Sequence, residues 1–192
     1  MPRSRYLMPV FVLVLGLALV GAAAWVSLAP RAATGVPAIG GPFTLTDETG
    51  KKVTDADFRG EPTLVFFGYT HCPDVCPTTL FDMSQVFEKL PGAKVAGLFV
   101  TVDPERDTPA VMKDYLSSFD PRIHGLSGDR AAIDPVLKEF RVFSRKVPGK
   151  DGEYTMDHSA IVYLMDKDGH FVASFNLDRK PEDSAAQLKE YL

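Results

Sequence analysis

An α/β fold, with a mixed sheet covered by helices on both faces, is what this 192-residue sequence predicts, and three observations carry it. A short continuous apolar run, residues 63–69, has the length and character of a buried strand, and residues 94–102 return to a strand. Segments with apolar residues at helical spacing follow them. Two further apolar stretches flank the turn Asp166-Lys167-Asp168-Gly169 as an antiparallel pair does.

In chain order, FTLTDETGKKVT (43–54) alternates around Glu48-Thr49-Gly50 like a hairpin. The run TLVFFGY follows as the central strand. Leu80, Met83, Phe87 and Leu90 then recur at helical spacing, and 94–102 returns to a strand. Thr108 before Pro109 is a cap followed by a first-turn proline, with Val111, Met112, Tyr115, Leu116 and Phe119 on one helical face. A short strand and a third helix over 129–140 come next. The pair 160–165 and 171–175 and a capped helix over 181–192 close the chain. The order hairpin, strand, helix, strand, helix, short strand, helix, hairpin, helix is that of a thioredoxin-like fold.

Ahead of this domain, residues 10–29 form a run of 20 without a charge. At about 1.5 Å per residue a helix of that length covers the roughly 30 Å hydrocarbon core, so one transmembrane helix is expected. Arg3 and Arg5 keep the short N-terminus, residues 1–9, in the cytoplasm and send the rest across; Arg31 weakens that asymmetry without reversing it. Ala22-Ala23-Ala24 offers the alternative of a cleaved signal peptide. Against it, apolar character continues through Trp25, Val26 and Leu28. Either way the domain lies outside the cytoplasm. Residues 30–40 are a small, Pro- and Gly-containing tether, and the folded domain spans 41–192. With a net charge of -4 and a pI near 5.6, no large basic surface exists to hold phosphates, which excludes nucleic acid as a partner.

The chain has two cysteines, both within FFGYTHCPDVCPTTL (66–80) and each followed by proline. A residue before proline is pushed out of the α region, so neither belongs inside a regular helix, and Pro77 suits the first helical position. Cys72 and Cys76 are therefore expected as exposed thiols in the loop after the central strand. There the helix N-terminus would favour thiolate. Three uses compete. A structural disulfide across three intervening residues restrains little unfolded chain. A thioredoxin-type catalytic dithiol has two residues between its cysteines, where CPDVC has three. A soft-metal site needs a further ligand.

Four histidines are available for it. His124, in a short connecting segment after Pro121, and His170, at the mouth of the DKDG turn, read as solvated. His71 points away from its neighbour Cys72 if the extended geometry persists. His158, flanked by Asp157 and Ser159, sits in the loop entering the 160–165 strand, which in this topology faces the cysteine loop. Thioredoxin-like reductases carry a proline there; this chain has Met156-Asp157-His158-Ser159 and no proline between Pro148 and Pro181. Two thiolates and one imidazole suit Cu(I), and zinc if water supplies a fourth ligand.

The segments GYTHCPDVCPTTL, VTVDPERDTP (100–109) and DHSAIVYLMD (157–166), together with the N-terminal anchor, resemble the Sco/SenC family of copper chaperones for cytochrome c oxidase. The resemblance runs from about Gly41 to the end. It implies a thioredoxin-like domain in which Cys72, Cys76 and His158 bind one copper ion, Cu(I) or Cu(II), and deliver it without catalysis to the dinuclear copper centre of the oxidase. The implied partners are the oxidase's copper-bearing subunit and a thioredoxin-like reductant. The implied location is a single-pass inner-membrane protein facing the periplasm, or the intermembrane space in a eukaryote. An extracytoplasmic thiol-disulfide reductase and a copper-linked redox sensor would use the same Cys pair, and both stay open. Asp103 and Asp107 are read as strand-end and helix-capping residues ahead of a docking role. Asp157 is either an orienting partner of the His158 ring or simply solvated. Met156 is read as core.

Overall fold

A computed structural model describes residues 39–150 and 152–192; the expected span at 10–29 and most of the tether lie outside the described residues. Among the described residues no helix is long and apolar enough to cross a membrane. The elements are β1 (Thr44–Asp47), β2 (Lys52–Thr54), β3 (Thr63–Gly68), α1 (Val75–Glu88), β4 (Ala96–Thr101), α2 (Pro109–Leu116), β5 (Ile123–Ser127), α3 (Arg130–Glu139), β6 (Ser144–Pro148), β7 (Tyr154–His158), β8 (Val162–Met165), β9 (Phe171–Ser174) and α4 (Pro181–Lys189).

Every residue of β3 and β4 is buried, which is why their sequences are apolar without alternation. They lie at the middle of a seven-stranded sheet of order β2-β1-β5-β4-β3-β8-β9. β3, β4 and β5 are parallel; β8 and β1 run antiparallel to their neighbours. Adjacent Phe66 and Phe67 point to opposite faces. Phe67 packs on Phe140, just past α3, while Phe66 stacks on Phe99, which meets Tyr115 of α2. The expected mixed sheet with helices on both faces is therefore the fold observed. Because Gly68 pairs with Thr101, the loops leaving β3 and β4 emerge side by side at one sheet edge. In open α/β sheets that carboxyl edge, where strand order reverses, is where sites form.

Two local expectations are corrected. The chain between α3 and the 160–165 strand, expected as loop, forms a second, two-stranded sheet, β6 with β7, whose paired charged residues Arg145 and Asp157 face outward. His124 is not in a connecting segment: it lies within β5, half-buried, its Nδ1 3.4 Å from Glu48 Oε1.

The Glu48 hydrogen bond raises the His124 pKa above its usual value. For Glu48, burial pushes upward, but His124 and the Gly125 N–H outweigh it and the carboxyl ends lowered. A raised histidine stabilises fully below its unfolded pKa, about 6.5, and loses that contribution as pH climbs through the folded value. A lowered carboxyl stabilises above about 4.5 and loses it as pH falls. The pair is thus strongest between roughly pH 4.5 and 6.5. His124→Gln should cost about 0.5 kcal/mol near pH 5.5 and less at pH 8.5, read by thermal melts at the two pH values.

Candidate metal centre

The β3–α1 junction is tighter than the proline rule suggests. α1 begins at Val75, so Cys76 is the second helical residue and Pro77 the third. First-turn N–H groups have no intrahelical partner, so Pro77 forfeits no hydrogen bond there, and Cys76 is helical despite the steric bias against that conformation before proline. The Cys76 N–H donates to Cys72 Sγ at 3.4 Å. The helix N-terminus therefore does face a sulfur, that of Cys72.

Neither thiol is exposed as expected: Cys72 is 9% accessible and Cys76 0%. Burial pushes the Cys76 thiol up, and the neighbouring Cys72 adds to the shift. Burial thus disfavours the Cys76 thiolate until an ion takes the place of its proton.

His158 arrives from the opposite side, as the last residue of β7 and not from a loop entering β8. It is half-buried, with Nε2 3.6 Å from Cys76 Sγ and Nδ1 3.1 Å from the Ser159 carbonyl oxygen. A carbonyl only accepts, so the Nδ1 proton sits on that bond and the Nε2 lone pair is left for the thiols or an ion. Phe66 and Tyr69 meet the ring edge-on, at 6.3 and 5.8 Å between centroids. The Cys72, Cys76 and His158 donor atoms all lie within 4.8 Å of one another. This is a compact, largely buried set of two sulfurs and one imidazole nitrogen, soft and low-coordinate, which suits a monovalent copper ion better than a hard cation.

The remaining sequence candidates fall outside it. His71 is exposed and held by the Thr70 hydroxyl at 3.1 Å. Asp157 faces outward to Arg145 at 3.1 Å, so the His158 ring is oriented by the Ser159 carbonyl instead. Met156 is core, as expected. Asp166, Asp168 and exposed His170 cluster at the β8–β9 turn, where Asp166 accepts the Asp168 and His170 N–H groups and so serves the turn itself. Thr108, not Asp107, caps α2, by accepting from the Val111 N–H. Asp103 and Asp107 are fully buried and side-chain bonded instead.

The fold and site together define a thioredoxin-like domain with two thiols and an imidazole gathered at the carboxyl edge of its central strands. Residues 31–192 match the SCO1/SenC family model, and the chain belongs to that family. It is 38% identical over 163 residues to the human mitochondrial protein SCO1 homolog, covering 82% of this chain and 54% of that protein. Against the fission yeast (Schizosaccharomyces pombe) protein sco1 it is 40% identical over 166 residues, covering 83% and 63%. The chain thus spans between half and two thirds of the length of these two relatives. Among solved structures, Bradyrhizobium japonicum ScoI with copper bound superposes with a TM-score of 0.79 at 62% identity, covering 81% of this chain and all of that one.

Proposed function

We propose that this chain is a membrane-anchored copper chaperone. It carries one copper ion as cargo on Cys72, Cys76 and His158 and hands it to the dinuclear centre on the copper-bearing subunit of cytochrome c oxidase. The observation that carries this reading is the convergence of two sulfurs and one imidazole, from two distant stretches of chain, within 4.8 Å. The copper in the Bradyrhizobium relative's structure supports the choice of ion. Residues 10–29 would hold the domain at the inner membrane, facing the periplasm or the intermembrane space. In that oxidising compartment a Cys72–Cys76 disulfide would block loading, so a thioredoxin-like reductant must act first. Three donors leave an ion open to a partner's thiolates, which permits ligand-by-ligand exchange.

A thiol-disulfide reductase would use the same pair. One feature weighs against it: the strand facing the thiols ends in His158 where such reductases carry proline. His158→Ala separates the readings because it spares both thiols. Deleting the gene is expected to lower oxidase activity through loss of its copper, and His158→Ala is expected not to restore it at low copper. Full complementation by His158→Ala would put the reductase reading in its place.

A further inference from the structure

The segment from Asp103 to Asp107 supplies no donor to the metal centre, yet it touches both halves of it. On one side the buried Asp107 carboxylate accepts the Thr70 N–H at 3.1 Å and the Thr70 and Thr101 hydroxyls at 2.6 Å each. This fastens the cysteine loop two residues before Cys72. On the other side Arg106 donates through Nε to Asp103 and through Nη1 to the Tyr154 carbonyl at 3.1 Å. Its guanidinium carbon lies 3.7 Å from the centre of the Tyr154 ring and 5.7 Å from that of Tyr69. The Tyr154 hydroxyl donates to the second Asp103 oxygen at 2.9 Å. Lys146 of β6 adds an ion pair to Glu105 at 3.4 Å.

Tyr154 opens β7 and His158 ends it, and with buried Met156 they share the strand's inward face. Isolated two-stranded hairpins are marginal in water, and β6–β7 pairs with no strand of the large sheet. Its direction therefore depends on side-chain ties, which the 103–107 segment provides at the end away from His158. We propose that Asp103, Arg106 and Tyr154 are positioning residues that aim the β6–β7 hairpin so that the His158 imidazole meets the thiols. The same short segment thereby references thiols and imidazole to one platform. The use of that geometry for copper rests on the function proposed above; the aiming of the hairpin does not.

The test uses the full chain in detergent and three variants: Tyr154→Phe, which removes one hydroxyl, Arg106→Gln, which removes the charge and most of the fork, and Arg106→Lys, which keeps the charge. In the metal-free protein, amide hydrogen exchange across β6–β7 should quicken about tenfold in Arg106→Gln and less in Tyr154→Phe, with β3 and β4 unchanged. Arg106→Lys should recover part of the protection. Cu(II) affinity, to which imidazole contributes strongly, should fall on the order of 10- to 100-fold in Arg106→Gln, while Cu(I) affinity, set by the thiolates, should move only a few-fold. Combined with His158→Ala, Arg106→Gln should add nothing further to the Cu(II) loss, because the group it positions is gone. Parental exchange in the hairpin, or a Cu(II) loss that persists in full without the imidazole, would overturn the proposal. If His158→Ala alone leaves copper binding unchanged, the copper reading fails instead, and the exchange comparison still decides the hairpin.

Discussion

Serine at Cys72 or at Cys76 will lower Cu(I) affinity by on the order of 10²- to 10³-fold. Four-donor structural metal sites bind with about 10–16 kcal/mol, roughly 2.5–4 kcal/mol per donor, and each 1.4 kcal/mol is a factor of ten. A hydroxyl is a hard, neutral oxygen that does not lose its proton to a soft ion, so the whole share of the replaced donor is forfeited. Folding should be affected far less. Serine is close to cysteine in size, and at position 76 its hydroxyl would lie near His158 Nε2, now 3.6 Å from the sulfur, as a hydrogen-bond donor to it. Competition with a Cu(I) chelator under anaerobic, reducing conditions measures the first effect and a thermal melt the second. Either serine variant binding within tenfold of the parent would remove that sulfur from the donor set, and with it the copper reading.

What the sequence revealed, and what it hid, divides along a physical line. β3, β4, α1 and α2 were legible because each is buried on a face that its residue pattern must match. The thiol pair was legible because two cysteines so close together have few uses, and His158 because topology brings its segment opposite them. The β6–β7 hairpin was not legible. Its outward face carries Arg145 and Asp157, its inward face includes exposed Lys146, and its one well-buried side chain is Met156, so no apolar alternation announces two strands. Cys76 entered the helix because the restriction on a residue before proline is a bias and not a bar, and Pro77, in the first turn, has no intrahelical hydrogen bond to forfeit. Asp103 and Asp107 carried the signature of strand ends and caps, and only three-dimensional proximity could reveal that they bind Tyr154 and Thr70, 51 and 37 residues away.

Gly68→Ala will both destabilise the domain and disturb the Cys72, Cys76 and His158 cluster, although Gly68 ends β3 with a backbone any residue could adopt. At such a position alanine ordinarily stabilises by about 0.4–1 kcal/mol, through the unfolded chain. Here a Cβ would fall 2.6 Å from Phe99 Cε2 and 2.7 Å from Cys76 Sγ, where ordinary contacts begin near 3.5 Å. Phe99 has nowhere to go: it is fully buried, stacked on Phe66 and tilted against Tyr115. Either the ring or the sulfur must shift, and overpacking of this kind costs about 1–3 kcal/mol, a fall of roughly 5 °C in melting temperature for a domain of this size. The sulfur's share of that displacement alters its distance to His158 Nε2, so Cu(I) affinity should fall with stability. Adding Phe99→Leu opens space on the ring side only. It should return part of the affinity lost in Gly68→Ala by letting the sulfur settle back, which separates this steric effect from general loosening of the core. A Gly68→Ala protein that melts at or above the parental temperature with unchanged copper affinity would show that the glycine leaves room for a methyl group, and that the sulfur's position does not depend on its absence.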